Sequence, residues 1–240
     1  MALRLRPKVS SVGSPFLQLG SSATAFAFSQ ACSVPNLGFQ PLRLQRKKYL
    51  SPTTFFVRAS RTESKGVILG FRAPQFELPE PLTGKVWTLE DFEAYPALLV
   101  MFLCNHCPFV KHLKKDIVKL TKFFMEKGLA VVAISSNSVA THPQDGPEFM
   151  AEDAKLFKYP FPYLYDESQD VAQDFGAAGR RPFELVYHGQ FDDSRPSNNV
   201  PVTGRDLSLA IDRVLSGQPV PSVQKPSVGC SIKWHPGKKF

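Results

Sequence analysis

Two uninterrupted apolar runs mark the pattern of hydrophobic and polar positions along the chain. Residues 97–103 and residues 129–135 are each as long as a strand and have no alternating polar positions. Such runs are typical of strands buried on both faces of a parallel sheet. Between them the spacing is helical, with lysines on the faces away from the apolar one. The apolar positions of this segment are Phe109, Leu113, Ile117, Leu120 and Phe124. The pattern predicts a right-handed βαβ unit.

Weaker patterns predict the elements on either side of this unit. Residues 73–79 alternate polar and apolar side chains and lead through a Thr-Gly turn into residues 86–89, which predicts a β-hairpin. Proline at a first helical position predicts a helix from Pro147 to about Phe157. The other predicted elements are a strand at 162–165, a helix at 168–175, a strand at 183–187, a helix capped by Thr203 and a Pro-rich tail. This order of elements predicts an α/β fold.

A Cys-x-x-Cys sequence lies where the first buried strand meets the helix. Backbone N–H groups at a helix N-terminus stabilise an anion, which predicts a lowered pKa for the Cys104 thiol. Cys107 is one turn further on, so the two sulfurs can form a disulfide. His106 adds a group that can carry positive charge beside Cys104, and Pro108 is tolerated in the first helical turn. The arrangement is typical of dithiol–disulfide exchange, with Cys104 attacking and Cys107 resolving.

Two other interpretations of the cysteine pair remain open, namely half of a zinc site or two buried structural thiols. A zinc site takes four ligands, usually from a second Cys-x-x-Cys or a His pair. The sequence has no second Cys-x-x-Cys, and His112 and His142 are scattered. The strand-then-helix context favours redox chemistry, so we predict no metal ion and no cofactor.

The formal charge of +8 is concentrated in the first 59 residues. This segment contains eight of the 29 basic residues and no acidic one, because the first acid is Glu63. Taking eight from 29 leaves 21 basic residues, which equals the number of acidic residues in the rest of the chain. A basic surface of the kind that binds nucleic acid is therefore not predicted.

Residues 1–59 have the composition of an organellar targeting segment. They are rich in Ser and Ala, and their longest apolar patch, residues 25–28, is too short for a membrane span or a secretory signal. The junction at residues 57–60 resembles a chloroplast processing site. We expect a disordered chloroplast transit peptide at 1–59, a folded domain at 60–218 and a Pro-rich tail at 219–240. The predicted location is the stroma; a mitochondrial presequence or a merely disordered basic tail are the alternatives.

Several motifs resemble the redoxin branch of the thioredoxin superfamily, which includes the alkyl hydroperoxide reductase/thiol-specific antioxidant (AhpC/TSA) proteins. The first is Ala-Pro-x-Phe-x-Leu at 73–78, followed by Gly-Lys and then the buried strand with its Cys-x-x-Cys. More narrowly, residues 104–110, 192–196 and 229–234 are similar to a group of thioredoxin-like proteins in bacteria and plastids. The resemblance implies a three-layer α/β/α sandwich with a central mixed sheet, an N-terminal β-hairpin and an extended C-terminal tail.

The sequence departs from this resemblance after Phe175. Thioredoxin-like folds continue with a cis-proline loop that faces the Cys-x-x-Cys and then a central strand. Here residues 176–181 lead directly to Pro182 and the strand at 183–187, so that a strand-sized piece is missing. In one outcome Pro182 takes the cis-proline position and 183–187 moves into the central slot. In the other, the sheet keeps a gap beside the strand that carries the cysteines.

The resulting functional hypothesis is a thiol–disulfide oxidoreductase of plastid redox homeostasis or antioxidant defence. Its partners would be protein disulfides and a thiol electron donor, with no nucleic acid and no membrane span. The catalytic residues would be Cys104 and Cys107. The residues predicted to tune the site are Asn105, His106, Pro108 and Pro182. One alternative is a thiol peroxidase, although residues 100–103 lack the Pro and Thr that such enzymes place before the reactive cysteine. The other is a redox-inactive binding module.

Two further features of the C-terminal third have open roles. Cys230 either resolves a sulfenic acid or mixed disulfide, or is an unpaired thiol. Asp192, Asp193 and Arg195 either form an ion-paired surface turn or contribute to partner binding, and the turn is the safer interpretation. Cys32 lies in the predicted transit peptide and carries no predicted function.

Overall fold

Both apolar runs are buried strands in the computed structural model, which describes residues 2–5, 61–63, 69–175 and 181–238. The strands are β1 (Ala2–Leu5), β2 (Arg61–Glu63), β3 (Arg72–Ala73), β4 (Glu77–Pro79), β5 (Val86–Thr88), β6 (Ala97–Phe102), β7 (Leu129–Ser135), β8 (Tyr163–Tyr165), β9 (Arg181–His188) and β10 (Val228–Cys230). The α-helices are α1 (Pro108–Met125), α2 (Pro147–Phe157), α3 (Asp170–Asp174) and α4 (Arg205–Leu215). Short 3₁₀-helices cover Leu89–Phe92 and Pro143–Asp145.

The central sheet is mixed and has the strand order β3-β9-β1-β6-β7-β8. Strands β6, β7 and β8 are parallel, and Ala97 to Phe102 lie opposite Leu129 to Ile134. The connection from β6 through α1 to β7 is the predicted βαβ unit. Strands β4 and β5 form the predicted hairpin, with Leu78 opposite Trp87. The mixed sheet and the hairpin are therefore confirmed.

Burial on both faces explains why the two runs lack polar positions. One face of the sheet presents Leu99, Met101 and Val131 to the helices α1, α2 and α4. The other face presents Leu98 and Val100 to the hairpin, the 3₁₀-helix at 89–92 and α3. Each face therefore has its own apolar core, as expected for a sheet between two outer layers.

The face of α1 differs from the prediction at one lysine. Lys114 is 5% exposed rather than solvated. Its Nζ lies 2.7 and 2.8 Å from the carboxylate oxygens of Asp153 on α2. The ion pair compensates for the burial of the ammonium group and joins the two helices.

Neither predicted outcome for the missing strand is what the structure shows. Strand β1, from the N-terminus, lies between β6 and β9 and is antiparallel to both. The strand containing 183–187 therefore stays one position further out, and it does not move next to β6. The physical reason is that the edge of β6 needs hydrogen-bond partners, which a four-residue segment supplies. Pro182 is the second residue of β9, but its side chain lies outside the described part.

Apart from β1, residues 1–59 lie outside the described residues, so the predicted transit peptide and domain boundaries remain predictions. The C-terminal tail lies along the domain, and it adds a strand that was not predicted. Strand β10 pairs with β2, which places Cys230 opposite Arg61. Within the described residues, no helix has the length and apolar character needed to cross a membrane.

The turn at 192–195 is half buried, so the prediction of a surface ion-paired turn holds for the exposed Asp193 and is wrong for Asp192. Asp192 is 2% exposed. Its Oδ2 accepts hydrogen bonds from the backbone N–H groups of Thr203 and Gly204 at 2.6 and 2.7 Å, and so holds the start of α4. Arg195 donates to the carbonyl oxygens of Asp192 and Ser194, whereas Asp193 pairs with Lys225.

Candidate active site

The Cys-x-x-Cys loop joins the carboxyl end of β6 to α1 and has a third cysteine beside it. Helix α1 begins at Pro108, so Cys107 is its N-cap residue. Strand β10 brings Cys230 to the same place, with its Sγ 2.8 Å from Cys107 Sγ. Cys104, Cys107 and Cys230 are all unbonded thiols. The structure therefore brings together the three sequence-predicted cysteines, with Cys104 and Cys230 both next to the Cys107 sulfur.

The Cys107 sulfur lies where its anion is stabilised. Hydrogen bonds lower the pKa of the Cys107 thiol to about 5, the largest contribution coming from the Cys104 thiol and another from the Cys230 thiol. The backbone N–H groups of Val110 and Cys230 also donate to this sulfur. Burial opposes ionisation, but four donors outweigh it. The hydrogen bonds therefore favour the thiolate form of Cys107.

The two neighbouring thiols are held in the protonated form. The pKa of Cys104 is raised well above its ordinary value because its thiol donates to Cys107, because it is buried, and because Asp145 is negatively charged. The pKa of Cys230 is raised to about 12, mainly by burial and then by its hydrogen bond and proximity to Cys107. These contacts therefore favour a negative charge on Cys107 over one on Cys104 or Cys230.

This distribution of charge differs from the sequence-based expectation, which placed Cys104 at the helix N-terminus. The helix starts three residues later, because residues 103–106 form an irregular loop and Pro108 takes the first helical position. The helix N-terminus and its N–H groups consequently act on Cys107. Pro108 is in the first turn as predicted.

Asp145 organises the loop between the two cysteines. It is fully buried, and its Oδ1 accepts hydrogen bonds from the backbone N–H groups of Asn105 and His106 at 2.8 and 3.0 Å. Its Oδ2 lies 2.5 Å from His106 Nδ1 and accepts a hydrogen bond from Asn137 Nδ2 at 2.9 Å. The carboxylate therefore fixes both residues that separate the cysteines.

Asn105 and His106 are held by further contacts. The Asn105 side chain donates to the carbonyl of Gln144 and accepts from the hydroxyl of the buried Tyr163. The His106 ring lies 4.5 Å from the ring of His142, measured between centroids. Burial and then the charge of His106 lower the pKa of His142. His106 is thus engaged with Asp145 and His142, and the main causes of the lowered Cys107 pKa are thiol and backbone donors instead.

Sequence reasoning missed Asp145. It lies in a polar loop 40 residues after Asn105, and nothing in its immediate neighbours distinguishes it from a solvated turn residue. The available signal is topological, because the loop follows β7, and the carboxyl ends of parallel strands meet at one edge of the sheet.

An apolar pocket of about 520 Å³ gives access to the thiols. Cys104, Cys107 and Cys230 line it. Its apolar walls include Phe102, Phe109, Phe175, Phe191, Ile232 and Trp234. Cys107 itself is only 2% exposed, so a reacting group must enter this pocket to reach the sulfur.

Cys104, His106 and Asp145 have ligand-type atoms within 4.8 Å of one another. These three donors are one fewer than a structural zinc site uses. Both Asp145 oxygens already accept two hydrogen bonds each, so a metal ion would have to displace some of them. The three side chains are therefore better placed for hydrogen bonding than for binding a metal ion.

Comparisons with known proteins agree with the geometry. A family model described as "AhpC/TSA family" matches residues 69–191, which include Cys104 and Cys107. An uncharacterized conserved protein from Geobacillus kaustophilus is similar in structure, with 47% identity, a TM-score of 0.70, and coverage of 74% of this chain and 98% of that chain. A hypothetical protein from Sinorhizobium meliloti 1021 is 44% identical with a TM-score of 0.70, covering 73% of this chain and 100% of that chain.

A comparison with curated proteins gives no match. The family match spans just over half of the chain and includes the central βαβ unit with both cysteines. The mixed sheet with a Cys-x-x-Cys at the carboxyl end of a strand is the thioredoxin-like α/β fold. The chain belongs to the AhpC/TSA family.

Proposed function

We propose that this protein is a thiol–disulfide oxidoreductase whose attacking group is the Cys107 thiolate. The observation that carries the proposal is the environment of one sulfur. Two backbone N–H groups and two thiols donate to Cys107 Sγ and lower its pKa to about 5. A thiolate that is ionised at neutral pH and positioned beside other thiols is the requirement for disulfide exchange.

The proposed reaction consists of two successive thiol–disulfide exchange steps. In the first, Cys107 Sγ attacks one sulfur of a substrate disulfide, forms a mixed disulfide and releases the other substrate sulfur as a thiolate. In the second, a neighbouring thiol of the site attacks Cys107 Sγ, forms an intramolecular disulfide and releases the remaining substrate thiolate, which takes up the proton of the resolving thiol. The substrate gains two electrons, and the two cysteines lose them.

The pocket suggests which disulfides are accepted. Its aromatic and aliphatic walls favour cysteines flanked by apolar residues, because moving such residues from water into the pocket lowers the free energy of binding. We therefore propose protein or peptide disulfides with apolar neighbours as substrates, and a small thiol or a second redox protein as the electron donor.

Turnover of insulin with dithiothreitol tests the proposed function. Wild type should accelerate reduction, and Cys107→Ser should lower the rate by about 100-fold or more, since a hydroxyl is a far weaker nucleophile than a thiolate. Cys32→Ser is the control, because it removes a cysteine that lies outside the described site. Equal rates for wild type and Cys107→Ser, with both proteins folded, would contradict the proposal.

A second candidate is a thiol peroxidase, which the AhpC/TSA match favours. In this reaction Cys107 Sγ attacks a peroxide oxygen and becomes a sulfenic acid, water or an alcohol leaves, and a second thiol then forms a disulfide with release of water. Peroxide consumption by wild type and by Cys107→Ser separates the candidates. Rapid consumption with no insulin reduction favours the peroxidase.

We also propose the plastid stroma as the compartment, on the basic and acid-free composition of residues 1–59. Residues 1–60 fused to a fluorescent protein should direct it to chloroplasts, with processing close to Ala59. Fluorescence in mitochondria or in the cytosol would contradict this proposal without affecting the chemistry.

A further inference from the structure

A third thiol lies against the sulfur that the proposed function uses. Cys230 is the last residue of β10, and its Sγ lies 2.8 Å from Cys107 Sγ. Its backbone N–H also donates to the Cys107 sulfur. The family match ends at residue 191, so the contact comes from a part of the chain beyond that match.

The position of Cys230 is fixed from both sides. On one side, β10 pairs with β2, with Cys230 opposite Arg61. On the other side, the Lys233 N–H donates to Asn137 Oδ1 at 2.8 Å, and the Lys233 carbonyl accepts from the Ser138 N–H at 2.7 Å. Residues 137 and 138 follow β7, so the tail is joined to the loop that also carries Asp145. The approach of the two sulfurs is therefore a consequence of main-chain contacts.

We infer that Cys230 is the resolving thiol, and that the first intramolecular disulfide formed during turnover joins Cys107 to Cys230. The inference rests on the proposed function, because it takes Cys107 as the attacking thiolate. With glutathione disulfide as the substrate, Cys107 Sγ first forms a mixed disulfide and releases one glutathione thiolate. Cys230 Sγ then attacks Cys107 Sγ and displaces the second glutathione, which receives the proton from Cys230.

Burial and charge favour Cys230 over Cys104 for this step. Cys230 is half-buried, whereas Cys104 is 8% exposed. Formation of the mixed disulfide removes the negative charge on Cys107 and its hydrogen bond from the Cys230 thiol, two of the causes that raise the Cys230 pKa. The same step removes the influence of Cys107 from Cys104, and both thiols keep a burial cost and the repulsion of Asp145. Cys230, however, is less buried, and the charge of Lys233 lowers its pKa. Cys230 therefore gives up its proton more readily at the stage when a resolving thiolate is needed.

The experiment follows glutathione on variants of the full chain that also carry Cys32→Ser. Cys104→Ser retains Cys107 and Cys230, and Cys104→Ser/Cys230→Ser retains Cys107 alone. Each is mixed with glutathione disulfide, and protein mass and free glutathione are followed with time. The single-thiol variant should keep one glutathione. The variant with Cys230 should release it on the order of 100-fold faster or more, because the attack is intramolecular.

A matched control moves the third thiol by one residue. Cys104→Ser/Cys230→Ser/Gly229→Cys has the same number of thiols, but Gly229 precedes Cys230 in β10, where successive side chains point in opposite directions, and a Cβ at Gly229 would meet no atom within 4 Å. It should keep its glutathione as the single-thiol variant does. Peptide mapping of the three-thiol protein, quenched after one equivalent of glutathione disulfide, should find Cys107 joined to Cys230 as the earliest intramolecular disulfide.

The possible results separate this inference from the proposed function. Equal release with and without Cys230, or an earliest disulfide between Cys104 and Cys107, would overturn the role of Cys230 and leave the oxidoreductase intact. Release from the Gly229→Cys control as fast as with Cys230 would also overturn it, since the position of the thiol would then be irrelevant. If folded single-thiol protein takes up no glutathione and the wild type does not accelerate insulin reduction, the proposed function fails and this inference fails with it.

Discussion

At the scale of single residues, Cys104 and Cys107 are only three positions apart but have different electrostatic surroundings, which shift their pKa values in opposite directions. Cys107 accepts hydrogen bonds from main-chain N–H groups, whereas Cys104 lies near a buried carboxylate. A donor stabilises a thiolate, and a negative charge opposes it. The proposed roles of the cysteines therefore follow from their contacts and not from their order in the sequence.

The ionisation of Cys107 has a direct spectroscopic consequence. Because its pKa is lowered to about 5, the thiolate forms as the pH rises through that value and is complete at neutral pH. The ultraviolet absorbance of the thiolate should therefore rise near pH 5 in wild type and not in Cys107→Ser. Cys230→Ala should move the rise to higher pH, since it removes the thiol that donates to the Cys107 sulfur. Absorbance that rises only near the ordinary thiol value of about 8.5 would contradict the assignment.

Asp145→Asn should lower both the stability of the protein and the pKa of Cys104. The amide keeps one oxygen for backbone donors, but its NH₂ group faces the side-chain donor Asn137 Nδ2. An unsatisfied buried donor costs about 1–3 kcal/mol, which chemical denaturation measures. The Cys104 pKa falls because a negative charge that raises it is removed.

Asp192→Asn is the control for this prediction. Asp192 is another buried carboxylate with several donors, so the substitution should also cost stability. It does not contribute to the pKa of Cys104, Cys107 or Cys230. A thiol titration that changes equally in both variants would show that Asp145 acts only through folding.

At the scale of elements, the start of α4 shows how a turn is fixed by packing. Gly204 has a φ of +64°, and a Cβ there would lie 2.6 Å from Leu120 Cδ1 and 2.8 Å from Phe191 Cζ. Gly84 has a φ of +73° with no atom within 4 Å of such a Cβ. The two glycines thus share a backbone conformation and differ in their surroundings.

Alanine substitution distinguishes the cost of the left-handed backbone conformation from the cost of the close side-chain contacts. Gly84→Ala should cost about 1–2 kcal/mol for the left-handed conformation alone. Gly204→Ala should cost that amount plus about 1–3 kcal/mol, because side chains of α1 and of the segment before the turn at 192–195 must move. Unfolding in denaturant measures both. Equal losses would mean that the contact at Gly204 relaxes without cost.

Elements with local signals were predictable, and contacts between distant segments were not. The βαβ unit, the hairpin and α2 follow from periodicity, Pro and Gly, which act within a few residues. The contacts of Asp145 with Asn105, of Asp192 with Gly204, and of Cys230 with Cys107 span 40, 12 and 123 positions. No periodicity relates such pairs, so the role of Asp145 and the contact of Cys230 with Cys107 became visible only with the fold.

At the scale of the whole molecule, the central sheet depends on a strand that the sequence assigned to a removable segment. Strand β1 lies between β6 and β9, and it belongs to the predicted transit peptide. Processing close to Ala59, which the plastid proposal expects, would remove β1 from the mature chain and leave the hydrogen-bonding edges of β6 and β9 unpaired unless another segment fills the slot. Because β6 leads directly into the Cys-x-x-Cys loop, loss of β1 would also disturb the position of the cysteines in the candidate active site.

Truncation followed by addition of the missing strand tests this dependence. The chain 60–240 should unfold less cooperatively than the full chain, with a loss of at least about 3 kcal/mol, because several main-chain hydrogen bonds worth about 1 kcal/mol each are removed. A synthetic peptide of residues 1–8 should restore part of the melting temperature, and a peptide of the same composition in scrambled order should not, since pairing requires the register of Leu3 with Leu99. If the truncated chain melts at the same temperature as the full chain, another segment occupies the slot and β1 is dispensable. If the scrambled peptide restores it equally well, the slot accepts any extended segment, and pairing there is a property of the open edges rather than of the N-terminal sequence.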